Sequence, residues 1–466
     1  MKFESSIDNL QQRRNFLKKL ALGVGSTSVL AMQGKLQLMQ SAIAASSNYS
    51  HLTDHKSLVC IFLFGGNDSF NMLIPYEQAA YQQYASSRKG MALSRESLHP
   101  LQGGEYAFHS SLPKLQQIYN ADKLGVVANV GALIEPVSKL AYVNETVKLP
   151  ADLFSHSHQQ EFWETGATAS SSIHPPGWGG RMIDMLASAN TNPNEAALFS
   201  IAGNSVWQRG FKPLDFVLNA YDGVSQLEAF KPNDWPRWKD GRVSAWNKIK
   251  QMENPSFLNQ QLRDTFKRKE ERIARLVDSI TAAPNISTPF AEDELSLQLK
   301  MAAKMISIRE NLGIKRQIIF VGIGGWDTHG NQLGEHATRL SELDAALSSF
   351  YQSTVDLGVT DSVTAFTASE FGRTYSNNGD GTDHAWSGHN LIMGGAIKGG
   401  EIHGDMPDFT LGGDDDTDTT GRFIPKYGVD QYGATLAKWM GMSDSDMLEI
   451  FPNLKNFNDI DLGFMS

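Results

Sequence analysis

Three short stretches set acids and imidazoles among glycines: Gly324-Gly325-Trp326-Asp327-Thr328-His329-Gly330, Ser369-Glu370-Phe371-Gly372-Arg373-Thr374 and Thr382-Asp383-His384-Ala385-Trp386-Ser387-Gly388-His389. A mixture of carboxylate and imidazole suits zinc or manganese, whereas carboxylate alone favours magnesium or calcium. In an extended Asp327-Thr328-His329 the two functional side chains project to one side, because strand side chains alternate. The glycines let backbone come close to an ion or an oxyanion. A further acid, Asp68, ends Gly65-Gly66-Asn67-Asp68, and Glu370, His156, His158 and His336 stand in reserve. The chemistry such a set supports is hydrolysis at a metal centre.

The elements that must position these residues alternate between strand and helix. Apolar runs at His55–Phe64, Lys123–Val130, Ala197–Ile201, Gln317–Ile323 and Ser362–Thr367 read as strands, with a further one at Asn390–Gly394. Being apolar on both faces, the longer runs fit a buried parallel sheet. Helical patterns fall at Tyr76–Ser87, Leu115–Ala121, Gly334–Leu357 and Asp430–Met440, and the last runs before Gln317 include an amphipathic helix over Leu295–Leu312. The rhythm predicts an α/β three-layer sandwich, a mostly parallel central sheet with helices on both faces. Ligands then sit beyond the carboxyl ends of the strands. Asp68, Asp327 and Glu370 each follow a strand run, so they are expected on one rim, where that much charge beside apolar strands calls for a counter-ion. Residues 225–312 are rich in charge and poor in strands, and read as a helical insertion or outer helix layer.

Composition narrows the function. The chain has 466 residues, a formal net charge of −10 and one cysteine, Cys60. No basic face is available to neutralise phosphates, which excludes nucleic acid as a partner. A lone cysteine excludes disulfides within the chain. The N-terminus carries Gln12-Arg13-Arg14-Asn15-Phe16-Leu17-Lys18-Lys19, then an apolar stretch from Leu20 to Met32 and Ala42-Ile43-Ala44. It resembles a twin-arginine export signal over residues 1–44, leaving a mature domain of 45–466. That predicts a periplasmic or secreted protein that meets the twin-arginine export machinery, with no stable membrane span in the mature chain. The run Asp414-Asp415-Asp416-Thr417-Asp418 lacks the spacing of a calcium loop and reads as a solvated loop.

The motifs in order are Phe64-Gly65-Gly66-Asn67-Asp68, Leu153-Phe154-Ser155-His156-Ser157, Gly177-Trp178-Gly179, Gly325-Trp326-Asp327-Thr328-His329, Glu370-Phe371-Gly372-Arg373-Thr374, Gly381-Thr382-Asp383-His384, Gly394-Gly395-Ala396 and Asp430-Gln431-Tyr432. This series resembles the exported bacterial family called domain of unknown function 1501, grouped with the alkaline phosphatase and sulfatase superfamily. The resemblance implies an alkaline-phosphatase-like sandwich with two divalent metal ions. One ion would be held by Asp327, His329 and His389, with His336 as a rival to His329. The other would be held by Asp68, Asp383 and His384. Ser155 and Ser157 are the candidate nucleophiles. Arg373 would either clamp the equatorial oxygens of the ester or pair with Glu370. The substrate is then a small anionic ester, phosphate or sulfate. The alternative is a non-catalytic exported binding or assembly factor on a degenerate hydrolase scaffold. A metallopeptidase of the His-Glu-x-x-His type is excluded because that motif is missing.

Overall fold

A computed structural model describes residues 48–166, 176–192, 197–211, 215–221, 223–224 and 257–466, with isolated residues between 241 and 251. Residues 1–44, where an export leader is expected, and most of the stretch 225–256 lie outside the described residues. In chain order the strands of the main sheet are β1 (Lys56–Leu63), β2 (Leu124–Gly131), β3 (Leu198–Ser200), β4 (Asp215–Asn219), β5 (Gly223–Val224), β6 (Arg316–Ile323), β7 (Val363–Ala368), β8 (Gly388–Gly394), β9 (Ile402–His403) and β10 (Tyr427–Gly428). Across the sheet they run β9-β2-β8-β7-β1-β6-β3-β4-β5, with β10 also paired on β2. The longer helices among the described residues are α1 (Gln78–Arg88), α2 (Pro113–Asn120), α3 (His156–Thr165), α4 (Trp178–Leu186), α5 (Phe257–Thr281), α6 (Glu294–Ser307), α7 (Gln332–Asp356), α8 (Val429–Trp439) and α9 (Asp444–Ile450).

The centre of the sheet is parallel because its strands are apolar on both faces and need helices over both. Every residue of β6 and β7 is buried, as is all of β1 after Lys56. β1 lies between β7 and β6 and runs parallel to each, and β3 and β4 continue in that sense. On one face Trp178 of α4 packs against Phe366 of β7 and Trp207, which in turn meets Phe320 of β6. α6 also packs on β6 and pairs with α7, so it belongs to the outer helical layer. The apolar positions of α7 at Leu340, Leu343, Ala346, Leu347 and Phe350 are buried. Its neighbour α6 starts where Asp293 accepts the Ser296 N–H at 2.8 Å, closing one otherwise open donor of the first turn.

Register fixes the rim. Phe62 of β1 stands opposite Ala368 of β7, and Leu63 opposite Ile323 of β6. The turns that begin at Phe64, Gly324 and Ser369 therefore leave the sheet side by side. The strand expected at Asn390–Gly394 is present as β8, and it runs antiparallel to β7. The physical reason is its connection: Ser369–Ser387 contains no helix to carry the chain back across a face, and a parallel return needs such a crossover.

Two close approaches depend on glycine. Gly65 has φ +125°, and a Cβ there would lie 2.3 Å from the Asp327 nitrogen. Gly66 has φ +86°, and a Cβ would lie 2.4 Å from the Phe371 ring. Both conformations and both contacts are closed to larger residues.

A buried acid at the start of α8 adds a pH dependence to the fold. Asp430 is fully enclosed, with the Asn453 N–H 3.1 Å from Oδ2 and Oδ1 without a hydrogen-bond partner. Burial pushes its carboxyl up to about 7, with the Asn453 hydrogen bond and the Arg181 charge offsetting part of the effect. The folded chain therefore keeps a proton that the unfolded chain has lost between about pH 4 and pH 7, and stability falls as pH rises through that window. Asp430→Asn cannot ionise. Its melting temperature relative to wild type is expected to climb by a few degrees from pH 4 to pH 7, measured by thermal denaturation in matched buffers.

Candidate metal centre

Four side chains from three separate stretches converge on the rim. His156 opens α3, Asp327 and His329 follow β6, and His384 lies in the loop before β8. His156, Asp327 and His384 offer ligand atoms that all lie within 4.8 Å of one another, and they form one such group among the described residues. His329 joins through Nε2, which is 3.1 Å from Asp327 Oδ1 and 2.9 Å from His384 Nε2. His384 Nε2 is itself 3.2 Å from Asp327 Oδ1, and His156 Nε2 is 3.4 Å from Oδ2.

Each ring also has a hydrogen-bond partner on its far side. His384 Nδ1 lies 2.8 Å from the Phe154 carbonyl, which can only accept, so Nδ1 carries a proton. His329 Nδ1 faces Asp383 Oδ1 at 3.2 Å, and His156 Nδ1 faces Glu370 Oε1 at 2.9 Å. Each ring turns Nε2 toward Asp327, and a neutral ring protonated on Nδ1 would present its Nε2 lone pair there. Lone pairs and a carboxylate facing one another repel. A divalent cation would relieve this among His156, Asp327 and His384, with His329 beside two of them, and imidazole nitrogens with a carboxylate oxygen form a donor set for zinc or a similar borderline ion. Metal-binding histidines commonly give their other ring N–H to a carboxylate or carbonyl in this way.

Burial, charge and hydrogen bonds shift the groups of the cluster in different directions. Burial raises the Asp327 carboxyl, but the hydrogen bond and charge of Arg373, with help from His384 and His156, outweigh it and hold the group below the usual aspartate value. Burial, then Arg373 and His156, hold His384 below the ordinary histidine value, so it does not fill the gap with a proton. The hydrogen bond to Glu370 raises His156. Burial also raises Asp383, and its bonds from Asn378 and His329 reverse the sign. Glu370 is buried and accepts from the Gly65 N–H at 2.8 Å and Gln160 Nε2 at 3.0 Å as well as from His156. Phe371 packs its ring on both His156 and His384, with centroids 4.9 and 4.6 Å apart.

Other residues singled out by sequence have different places. Asp68 lies on the rim but faces inward: it is fully buried, with Oδ1 and Oδ2 held by Arg88 at 2.6 and 2.9 Å and Oδ2 also bonded by Gln332. Its oxygens are occupied, so the second ion expected on Asp68, Asp383 and His384 has no assembled site. Asp383 instead orients His329. His389 is buried behind the rim, where Nδ1 accepts the Asn129 N–H at 3.1 Å and the ring meets the edge of Phe70. His336 is buried in α7 and bonds Asn67 Oδ1 at 3.0 Å, so His329 and not its rival reaches the cluster. Burial holds His336 and His389 down to about 3.

Arg373 does not extend into the open site. Its guanidinium is buried, and it donates to the carbonyls of Gly66 at 3.0 Å, Thr382 at 2.7 Å and Gly65 at 2.8 Å, and to Asp327. The expected clamp on an ester, and the alternative pair with Glu370, both give way to this bracing role. Ser155 directly precedes α3 and Ser157 lies in its first turn. His158 Nδ1 is 3.2 Å from Ser155 Oγ, away from the four converging groups. The Asp-rich loop turns Asp416 inward, where it accepts the N–H groups of Gly412, Gly421 and Arg422 at 2.9, 3.0 and 3.1 Å.

With the geometry in view, the chain can be placed. Residues 55–421 match the family described as "Protein of unknown function (DUF1501)", and the protein belongs to that family. No curated protein matches the sequence. Among solved structures it is similar to the lipoteichoic acid synthase LtaP from Listeria monocytogenes, at 10% identity over 91% of this chain and 81% of that one, TM-score 0.40. It is also similar to Ps i-CgsB solved with k-i-k-neocarrahexaose, at 8% identity over 87% and 77% of the two chains, TM-score 0.38. The PsFucS1 sulfatase from Pseudoalteromonas sp. gives 9% identity over 87% and 72%, TM-score 0.35. The chemistry therefore has to be argued from this chain's own residues.

Arg88→Met strands the Asp68 carboxylate in a closed site and is expected to cost ~3–5 kcal/mol. The double variant Asp68→Leu with Arg88→Met should recover most of that loss. Denaturant midpoints measure the effect, and the metal content of the double variant should equal wild type; its loss would make Asp68 a ligand.

Proposed function

We propose that this protein is an exported, metal-dependent hydrolase acting on a phosphate or sulfate ester, with a divalent ion held by Asp327, His156, His329 and His384. One observation carries the reading. Three histidines set Nδ1 against a fixed oxygen acceptor and Nε2 against a single carboxylate. When bound, the ion supplies positive charge against the negative charge that develops on ester oxygens, and it makes an attacking hydroxyl more acidic.

The chain's own groups do the rest. Glu370, Asp383 and the Phe154 carbonyl orient the three rings. Arg373 keeps Asp327 ionised and in place. The Asp327 side chain is 45% exposed, so the centre is open to an ester arriving from solvent. A net charge of −10 makes a small substrate anion depend on local positive charge for capture, and the ion is its natural source. Export by the twin-arginine route follows from the Arg13-Arg14 leader and rests on sequence.

Protein purified without chelators should contain about one equivalent of zinc, manganese or a similar ion by elemental analysis, and turn over an aryl phosphate or aryl sulfate. Asp327→Ala and His384→Ala should abolish both. Glu370→Gln and Asp383→Asn, which meet the cluster through the His156 and His329 rings, should weaken metal affinity or turnover by about 10–100-fold. Metal-free protein that retains full turnover would sink the reading.

A further inference from the structure

We propose that Arg422 is a positioning residue of the metal centre, and that the Asp-rich run at 414–418 is the frame that holds it there. The inference rests on the metal-centre reading and gives a role to a loop which that reading leaves idle. Arg422 lies between β9 and β10, outside the stretches that supply the four converging groups. Its Nε donates to the His384 carbonyl at 2.9 Å, and its guanidinium lies over the Phe154 ring, 5.2 Å from the centroid. Phe154 in turn presents its own carbonyl to the His384 Nδ1–H at 2.8 Å. One side chain therefore grips both partners of the hydrogen bond that orients the His384 ring.

Both grips matter because both partners sit on irregular backbone. Phe154 has φ of 73°, the left-handed region, which is uncommon for a residue with a large side chain. Such a conformation persists only where its surroundings over-determine it. A guanidinium stacked on the ring supplies that constraint, since it is attracted to the aromatic face and is itself a rigid plane. His384 lies in a loop and pairs with Arg373 through an isolated antiparallel bridge. A ligand ring is aimed by its own backbone and by the acceptor on its far side, and Arg422 sets both.

The Asp-rich run is shaped to hold this arginine. Asp418 Oδ2 accepts from Arg422 Nη1 at 2.6 Å, while Oδ1 accepts the N–H and the hydroxyl of Thr420 at 2.7 and 2.8 Å. Asp416 is buried and accepts the Arg422 N–H at 3.1 Å, and the Thr417 N–H donates to the Arg422 carbonyl at 3.1 Å. An Asp–Arg pair four residues apart is ordinarily a loose surface pair of little consequence. This one leaves the arginine side chain 27% exposed and fixes a planar donor whose Nε bonds a ligand's backbone. Asp415 pairs instead with Lys426.

The test uses the full chain and two readouts: zinc affinity, by competition with a chromogenic chelator, and the visible spectrum of the cobalt(II)-loaded protein, which reports ligand geometry. Arg422→Ala should weaken zinc binding by about 10–100-fold, the range for a lost partner of a metal ligand, and should shift the cobalt spectrum. Added methylguanidinium should restore both, which a merely structural role would not allow. Asp418→Asn should weaken zinc binding by roughly tenfold, and adding it to Arg422→Ala should cost nothing more, because Asp418 acts through the arginine. Lys426→Ala, which loosens the same run without touching His384 or Phe154, should match wild type in both readouts. Wild-type affinity with an unchanged spectrum in Arg422→Ala, an equal loss in Lys426→Ala, or a loss that methylguanidinium leaves in place overturns the proposal and leaves the metal reading standing. Should Arg422→Ala fail to fold, wild-type affinity in Asp418→Asn overturns it in the same way. A wild-type chain that holds neither ion sinks the metal reading and this proposal with it, and that result is scored on wild type alone.

Discussion

A buried guanidinium holds the rim together. Arg373 follows β7, yet it bonds the turn after β1 through the Gly65 and Gly66 carbonyls, the loop before β8 through the Thr382 carbonyl, and the turn after β6 through Asp327. Three carbonyls taken out of water would each lack a donor without it, and a buried polar group left unpaired costs roughly 1–3 kcal/mol. Its charge also keeps Asp327 a carboxylate. The glycines then follow as a geometric requirement, because the turn that Arg373 draws in must pass within van der Waals contact of the Asp327 backbone and the Phe371 ring. Arg373 thus determines both where the acid is and what charge it carries.

The sheet was legible in the sequence because its signal is local. Runs such as Ile318-Ile319-Phe320-Val321 and Val363-Thr364-Ala365-Phe366 are apolar on both faces, and that pattern has one common explanation, a parallel strand covered on both sides. The shared rim followed from parallelism, and the register of β1 against β6 and β7 bears it out. The direction of β8 was not legible, since strand composition does not encode orientation. Only the missing helix between Ser369 and Ser387 carried that information.

The centre was legible in type and only partly in membership. Asp327, His329 and His384, expected on two neighbouring ions, meet in one cluster, and His156 and Glu370, kept in reserve, stand against them. Asp68 and His389 look equivalent in sequence, but burial separates them. Asp68 meets Arg88, twenty residues away on α1, and becomes half of an enclosed ion pair. His389 points to the backbone of β2. The partner of a buried charge is set by tertiary packing, and a motif read along the chain has no access to it. Likewise nothing in the sequence marks the Phe154 carbonyl as the group that fixes the His384 tautomer.

The four converging side chains lie far apart along the chain, at 156, 327, 329 and 384, and come from α3, the turn after β6 and the loop before β8. An ion shared among them would work as a non-covalent cross-link, shortening the loops that the unfolded chain could otherwise explore. With Cys60 as its lone cysteine, the polypeptide cannot close such loops with sulfur. Coordination is then the means by which this chain could fasten its distant segments to one another, so that occupancy of the centre and mechanical integrity of the rim become a single property.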